Sequence, residues 1–349
     1  MIMTGDKLHA MRRAEGSLAA IERENASESA AAIRLMVAEL YARLWRLDRQ
    51  KEIIGRTSVL LNSLVQSAEG RFLAGKAPLS EGLLSRAELA AENAKFHGVV
   101  FERRGKLARL NRLLGRARAE TEIQPEWNVA EAVAEAETLL ARAYGARETI
   151  GETNPALRRM KAMEMMSEAE GKAAEAARAP DVMVQGMLMR MPQGMILTSQ
   201  SPELENFGGA PMPENRVEWM YSIMASVTLP FAPWSAAGID AKQAEVLAKQ
   251  RAQSYEREAM SRETLGAIAE KEQELIHALE TAREYERVII PAYKQALEGL
   301  LQSFQANQSP IADVLRATQM LAMKEDELVM LREEQMMISA QLRNLIGNE

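Results

Sequence analysis

Phe72-Leu73-Ala74-Gly75-Lys76-Ala77-Pro78-Leu79-Ser80-Glu81-Gly82-Leu83 is matched 232 residues later by Phe304-Gln305-Ala306-Asn307-Gln308-Ser309-Pro310-Ile311-Ala312-Asp313-Val314-Leu315. Phe, Ala, Pro and Leu coincide, Gly75 meets Asn307, the other residue that turns left-handed at low cost, and Glu81 meets Asp313. The same offset, without a gap, lays Leu89 over Leu321, Ala90 over Ala322, Leu110 over Leu342, and Leu113-Leu114-Gly115 over Leu345-Ile346-Gly347. Chance agreement between helix-rich sequences scatters identities, whereas here the turns and the ends fall into step. Each copy reads as one antiparallel helical hairpin, since its connection is short, and the two copies form an internal repeat.

Around the first turn, the chain from about Asp6 to Ala68 is helix-forming and free of proline. Ile33, Met36, Val37, Leu40, Leu44, Leu47, Ile54, Leu60, Leu61, Leu64 and Val65 recur at three- and four-residue spacing and make one apolar seam. A helix of that length exceeds the usual dozen or so residues and belongs in a coiled coil or a tube. Gly75-Lys76-Ala77-Pro78 breaks it, and a second helix runs from about Leu79 to Leu114, stopped by Gly115. In the second copy, Asn154-Pro155 opens a helix to about Arg178, as an N-cap and N1 pair does. Pro230, Pro233 and Gly238 read as a turn, with a long helix starting near Asp240. The first copy starts near Gly5-Asp6, so a helix and strand pair of about 85 residues is expected ahead of Met1. Residues 116–153 join the copies and contain a short Ala- and Glu-rich helix from about Val129 to Tyr144, read as a belt on the outside of the long helices.

Residues 181–235 are the part that does not read as helix. Val217, Trp219, Tyr221, Ile223, Ala225, Val227 and Leu229 alternate with Glu218, Met220, Ser222, Met224, Ser226 and Thr228, the period of a strand with one apolar and one mixed face. Such a strand is long enough to cross a bilayer when tilted, for which roughly 9 to 11 residues suffice. Trp219 and Tyr221 sit near one end of the apolar face, where a membrane barrel carries its aromatic girdle. Val182 to Met191 alternates less cleanly, and the Pro-, Gly-, Ser- and Asn-rich stretch 192–215 between the two is a long loop. The alternation also fits a half-buried hairpin on a soluble helical domain.

Composition narrows the function classes. With 22 Met, no Cys and only 5% aromatic residues among 349, the chain fits an Ala- and Glu-rich helical protein rather than an enzyme with a large aromatic core. No stretch approaches the roughly 18 apolar residues of a spanning helix. The formal charge of −6 argues against nucleic acid as a partner. No apolar core follows Met1, so a secretory leader is expected upstream if the strands meet lipid. Neither a phosphate-binding glycine loop nor a nucleophile with a convincing base is present, which points away from an enzyme, and no cofactor is expected. Glu274 and His277 make one step of the spacing used by di-iron bundles, but such sites need two steps, and His9 and His97 have no matching Glu.

Taken in this order, the chain resembles the outer-membrane factor family typified by TolC. Asn154-Pro155-Ala156-Leu157 opening a copy, Leu229-Pro230-Phe231 leaving the second strand, and Ile290-Pro291 with the Phe304 to Ala317 turn carry the resemblance. The stretch Val227 to Ser235, reading VTLPFAPWS, and Met191-Pro192-Gln193-Gly194 look like the heavy-metal efflux branch, whether copper and silver or cobalt, zinc and cadmium. The resemblance implies a mainly α fold of long antiparallel helical hairpins plus β-barrel strands, and a homotrimer in the cell outer membrane with a periplasmic extension. It also implies a passive exit duct of a tripartite efflux system, touching outer-membrane lipid and working with a periplasmic adaptor (membrane fusion) protein and an inner-membrane pump. This chain departs from the pattern in carrying two strands per subunit. The implied domains are 1–115, first hairpin; 116–153, connecting equatorial segment; 154–180, leading helix of the second copy; 181–235, strand pair with its extracellular loop; and 236–349, second hairpin.

A duct needs an entrance, a lining and a docking surface. Asp313 matches the family aspartate that narrows the periplasmic entrance, while Arg316 stands where some relatives have a second acid. A first-turn acid is also what a helix dipole favours by itself. The turns, with Gly75, Lys76, Pro78, Asn307, Gln308 and Pro310, are the expected adaptor-docking sites, and Val217, Trp219, Tyr221 and Ile223 the expected lipid-facing residues. Met183, Met187, Met189, Met191, Met220 and Met224 share the other face, and thioethers are soft metal ligands. Met is also frequent at Met320, Met323, Met330 and Met337, where it reads as filling in a helix seam. Residues 1–115 hold 19 basic against 13 acidic residues and 236–349 hold 13 against 19, so alternating hairpins in a ring are expected to attract one another. The competing class is a periplasmic adaptor or a soluble coiled-coil scaffold, which has no use for a lipid-length apolar strand face.

Overall fold

The computed structural model describes residues 7–118, 121–176, 180, 182–191, 218–227 and 233–347. In chain order these form α1 (Lys7–Leu73), α2 (Leu79–Leu113), α3 (Val129–Ala146), α4 (Ile150–Thr153), α5 (Pro155–Ala176), β1 (Val182–Met191), β2 (Glu218–Val227), α6 (Pro233–Glu284), α7 (Ile290–Gln305) and α8 (Ile311–Ile346). A single π-helical turn, Tyr285–Ile289, links α6 to α7. The chain is thus mainly α with one small antiparallel sheet. Among the described residues no helix is long and apolar enough to cross a membrane.

The two helical turns are built alike. Gly75 takes φ +68°, its amide bonds the Phe72 carbonyl (2.9 Å), and the Lys76 amide bonds the Arg71 carbonyl (2.8 Å). Asn307 takes φ +59°, its amide bonds Phe304 (3.0 Å), and the Gln308 amide bonds Ser303 (2.8 Å). Both close the last helical turn on a left-handed residue with the six-to-one bond of a Schellman cap. Pro78 and Pro310 follow with matching extended backbone (φ −72° at each) and start α2 and α8. Gly115 and Gly347 end those helices at φ +68° and +76°.

Two compact units divide the chain. One comprises residues 1–22 and 160–257, the other 23–159 and 258–349. In the first, α5 approaches α6 at Gly171, where an added Cβ would lie 2.6 Å from Gln250 Nε2, and that amide donates to the Ser167 carbonyl (3.0 Å). Lys249 pairs with Glu170 (2.7 Å) and Arg257 with Glu164 (3.1 Å) along the same helix pair.

The larger unit holds the main cores. Leu61, Leu64 and Ala68 of α1 pack with Leu297 and Phe304 of α7 and Ile311, Val314 and Leu315 of α8. Leu40 and Leu44 of α1 meet Leu107 and Leu110 of α2. Residues 121–146 lie across these helices: Trp127 meets Trp45 edge to face at 4.9 Å, and Tyr41 donates to the Glu126 carbonyl (3.0 Å). Ala136, Leu139 and Ala143 of α3 join Ile268, Leu275, Leu279, Ile338 and Leu342 in the largest apolar cluster. Asn154 ties the segment down. Its Oδ1 accepts from the Ala156 and Leu157 amides at the start of α5 (2.9 and 3.2 Å), and its Nδ2 donates to the Leu345 carbonyl near the end of α8 (2.8 Å).

Three sequence readings are corrected. Helix α6 begins at Pro233 rather than near Asp240, because a proline in the first helical turn lacks only an N–H that has no intrahelical partner. Gly238 then lies inside the helix, a tolerable cost of about 1 kcal/mol. Met320, Met323 and Met330 of α8, placed in a seam by their spacing, are exposed. For the strands, the described extent of β2 is Glu218–Val227; Val217, Thr228 and Leu229 lie outside the described residues, as do Asp6 and Arg178.

Candidate functional site

The strand pair has two unlike faces. Register pairs Val182 with Val227, Val184 with Ala225, Gly186 with Ile223, Leu188 with Tyr221 and Arg190 with Trp219, so the apolar residues of both strands share one face. That face is uncovered: Trp219 is 58%, Tyr221 80% and Ile223 79% exposed. Val184, Leu188 and Val227 are exposed beside them, so among the described residues nothing covers this surface. The other face pairs Met183 with Ser226, Gln185 with Met224, Met187 with Ser222, Met189 with Met220 and Met191 with Glu218. Each strand has one partner, which leaves both outer edges of the sheet unpaired among the described residues.

Gly75, Lys76, Pro78, Asn307, Gln308 and Pro310 are all exposed at the tips of their turns. The two turns belong to one unit and are joined beneath the surface, where the Arg71 guanidinium lies 4.6 Å from the ring centre of Phe304, a residue only 4% exposed. Phe72, its counterpart in the first turn, is exposed together with Leu73, Leu79 and Leu83. Asp313 and Arg316 stand exposed on the first turns of α8, with the Asp313 amide closing on the Pro310 carbonyl (3.2 Å). Glu274 is held by Lys271 (2.6 Å), and His277 neighbours Thr281 rather than a second carboxylate (3.5 Å).

A polar layer between α1, the π turn and α8 was not found from sequence. Glu333, buried on α8, forms an ion pair with Arg46 (2.9 Å) and accepts from Arg43 (3.2 Å) of α1. Arg332, also buried, reaches Glu286 of the π turn (2.7 Å) and Gln335 (2.6 Å). Burial pushes the Asp326 carboxyl above its ordinary range, against the pull of Arg46 and a Gln50 hydrogen bond. The Tyr285 hydroxyl donates to Glu327 (2.7 Å), which holds the phenol proton more tightly, while Lys324 and this hydroxyl keep Glu327 below the usual carboxylate range. The contacts that cross between elements join residues at least 42 positions apart, which no local pattern aligns. The one local sign of the layer was Pro291, which lacks an N–H and meets the preceding turn sterically; the ladder opens to a π turn just before it.

Solved structures with this arrangement exist. The outer membrane protein VceC from Vibrio cholerae superposes with a TM-score of 0.74 at 18% identity, over 98% of this chain and 76% of that one. The outer-membrane channel OprN gives 0.75 at 15% identity, over 98% and 72%. CusC, solved in a study of folding and transmembrane channel formation, gives 0.76 at 14% identity, over 99% and 75%. No family model and no curated protein matches the sequence. The backbone nevertheless follows these structures almost from end to end, and the chain has the fold of the outer-membrane channels.

Proposed function

We propose that the chain is a subunit of an outer-membrane exit duct, passing substrate passively from periplasm to exterior. The observation that carries the reading is the bare apolar strand face. Six exposed hydrophobic residues, Val184, Leu188, Trp219, Tyr221, Ile223 and Val227, share one side of a sheet long enough to cross a tilted bilayer span. A water-soluble adaptor or coiled-coil scaffold gains nothing from such a face and would risk aggregation through it. Lipid on that face gives the other the lumen, and the unpaired edges call for strands from further copies, so the functional unit is a homotrimer with a closed barrel. The helical hairpins then lie in the periplasm, as two copies of one device covering residues 1–115 and 236–349, with 116–153 as an equatorial belt.

In this reading the turns at Gly75 to Pro78 and Asn307 to Pro310 meet a periplasmic adaptor, which links the duct to an inner-membrane pump. Asp313, repeated about a threefold axis, forms an acidic ring that attracts cations at the entrance, with Arg316 one turn deeper moderating it. Heavy-metal cations are the cargo that this ring and the methionine-bearing face suit best.

Cell fractionation tests the reading. Expression of the full chain is expected to place it in the outer-membrane fraction as a crosslinkable trimer. Recovery as a soluble monomer overturns the duct.

A further inference from the structure

We propose that the cavity where α1, α3, α5 and α8 meet is a binding site for a small polyanion, a molecule carrying two or more carboxylate or phosphate groups, held by Arg34, Arg142, Arg158 and Arg343. The cavity measures about 1030 Å³, and all of its walls belong to the larger unit. Each arginine comes from a different helix: Arg34 from α1, Arg142 from α3, Arg158 from α5 and Arg343 from α8. Two carboxylates, Glu135 and Glu152, line the same space, so its wall carries four positive charges against two negative in a chain whose formal charge is −6.

Pairing within the chain does not use up this charge. Arg343 is bound to Glu135 (2.7 Å) and Arg158 to Glu24 (3.0 Å). Arg34 and Arg142 have no carboxylate partner among the described residues, although the chain offers 49 acidic residues for 43 basic ones. Elsewhere in the same unit Arg43, Arg46, Arg103, Arg147 and Arg332 each hold a carboxylate. A free guanidinium on a convex surface is simply hydrated. Several lining one concavity repel one another, and an anion placed among them relieves that repulsion. A cleft with one prevailing sign of charge concentrates the opposite ion, and the guanidinium fork matches carboxylate and phosphate oxygens two at a time. Ser27 and Asn344 add neutral donors to the wall. Concavity selects for size: a space of this order takes a small molecule and shuts out a folded partner or a bilayer surface. The site lies wholly among helices, so it stands apart from the exit-duct reading, which rests on the strand pair.

The test is calorimetric titration of the purified full chain, at fixed ionic strength, with pyrophosphate, citrate and acetate in turn. Uptake of about one pyrophosphate or citrate per chain is expected, with acetate weaker by about tenfold or more because a single carboxylate engages a single fork. Arg34→Gln/Arg142→Gln should lower the affinity for both polyanions by about tenfold or more, whereas Arg251→Gln/Arg287→Gln, which alters exposed arginines outside the cavity, should leave it unchanged. Bound citrate should also slow amide exchange of the unaltered chain at residues 27–38, 135–142 and 340–347, which decides the matter even if the cavity variant fails to fold. No uptake of either polyanion, equal losses in the two variants, or slowed exchange elsewhere overturns the site. Attachment to phosphatidylglycerol vesicles without uptake of pyrophosphate or citrate overturns it as well. Fractionation bears on the duct and titration on the cavity, so failure of either leaves the other legible.

Discussion

Gly75 and Gly347 are both left-handed, yet they do unequal work. An added Cβ at Gly75 meets nothing within 4 Å, so the cost of Gly75→Ala is that of the backbone alone, about 1 kcal/mol. At Gly347 the same atom would lie 2.1 Å from the Thr153 carbonyl oxygen and 2.8 Å from the Asn154 nitrogen, both backbone. Gly347→Ala must push the joining segment away from α8 and is expected to cost about 3 kcal/mol. Thermal unfolding of the two variants checks the ranking, and Gly75→Asn should sit near the unaltered protein, since Asn307 already holds that conformation. Equal losses at the two glycines would show that the joining segment gives way freely. The left-handed requirement was readable at both places from glycine after a helical run. The close approach to Thr153 was not, because it joins positions nearly 200 residues apart.

At the scale of the element, the strands and turns were the most legible parts, for the same reason. A period of two and a Gly-x-x-Pro turn are local patterns, and local patterns survive whatever packs around them. Register was less accessible: the weak alternation of β1 becomes informative only once Leu188 is set against Tyr221 and Gln185 against Met224. The passage of the helix from α6 into α7, where Pro291 stands, depends on a π turn held by a partner on α8, which no window of sequence reveals. The two faces make an internal control for membrane contact. Ile223→Arg puts a charge on the apolar face and is expected to cost about 2–4 kcal/mol of membrane stability near mid-bilayer. Ser222→Lys, one residue away on the opposite face, should be tolerated. Outer-membrane yield of the two variants is the measurement, and equal yields would remove lipid from the apolar face.

For the molecule as a whole, the opposite charges of the two hairpins find partners inside the chain. Arg43 and Arg46 of the basic half bind Glu333, and Arg56 binds Glu325, which also receives Lys294. Attraction between neighbouring copies, expected from the charge totals alone, is thus partly consumed before any neighbour arrives. Exposed pairs contribute about 0–1 kcal/mol each and fade with salt, while Glu333 and Arg46 are buried and screened little. Trimer yield by crosslinking should therefore change less than about twofold between low and high salt. A steep fall would return the ring to electrostatics.

The sheet of two strands has a consequence for the life of a newly made subunit. An isolated two-stranded hairpin is at best marginally stable in water, and this one leaves its oily side and both margins bare. If the proposed duct assembles from several copies, a lone copy is expected to be sticky and open to proteases, and its survival to rise with the supply of other copies. Order in this part of the protein would then be something the copies confer on one another, and protection of the strands from protease should rise with protein concentration.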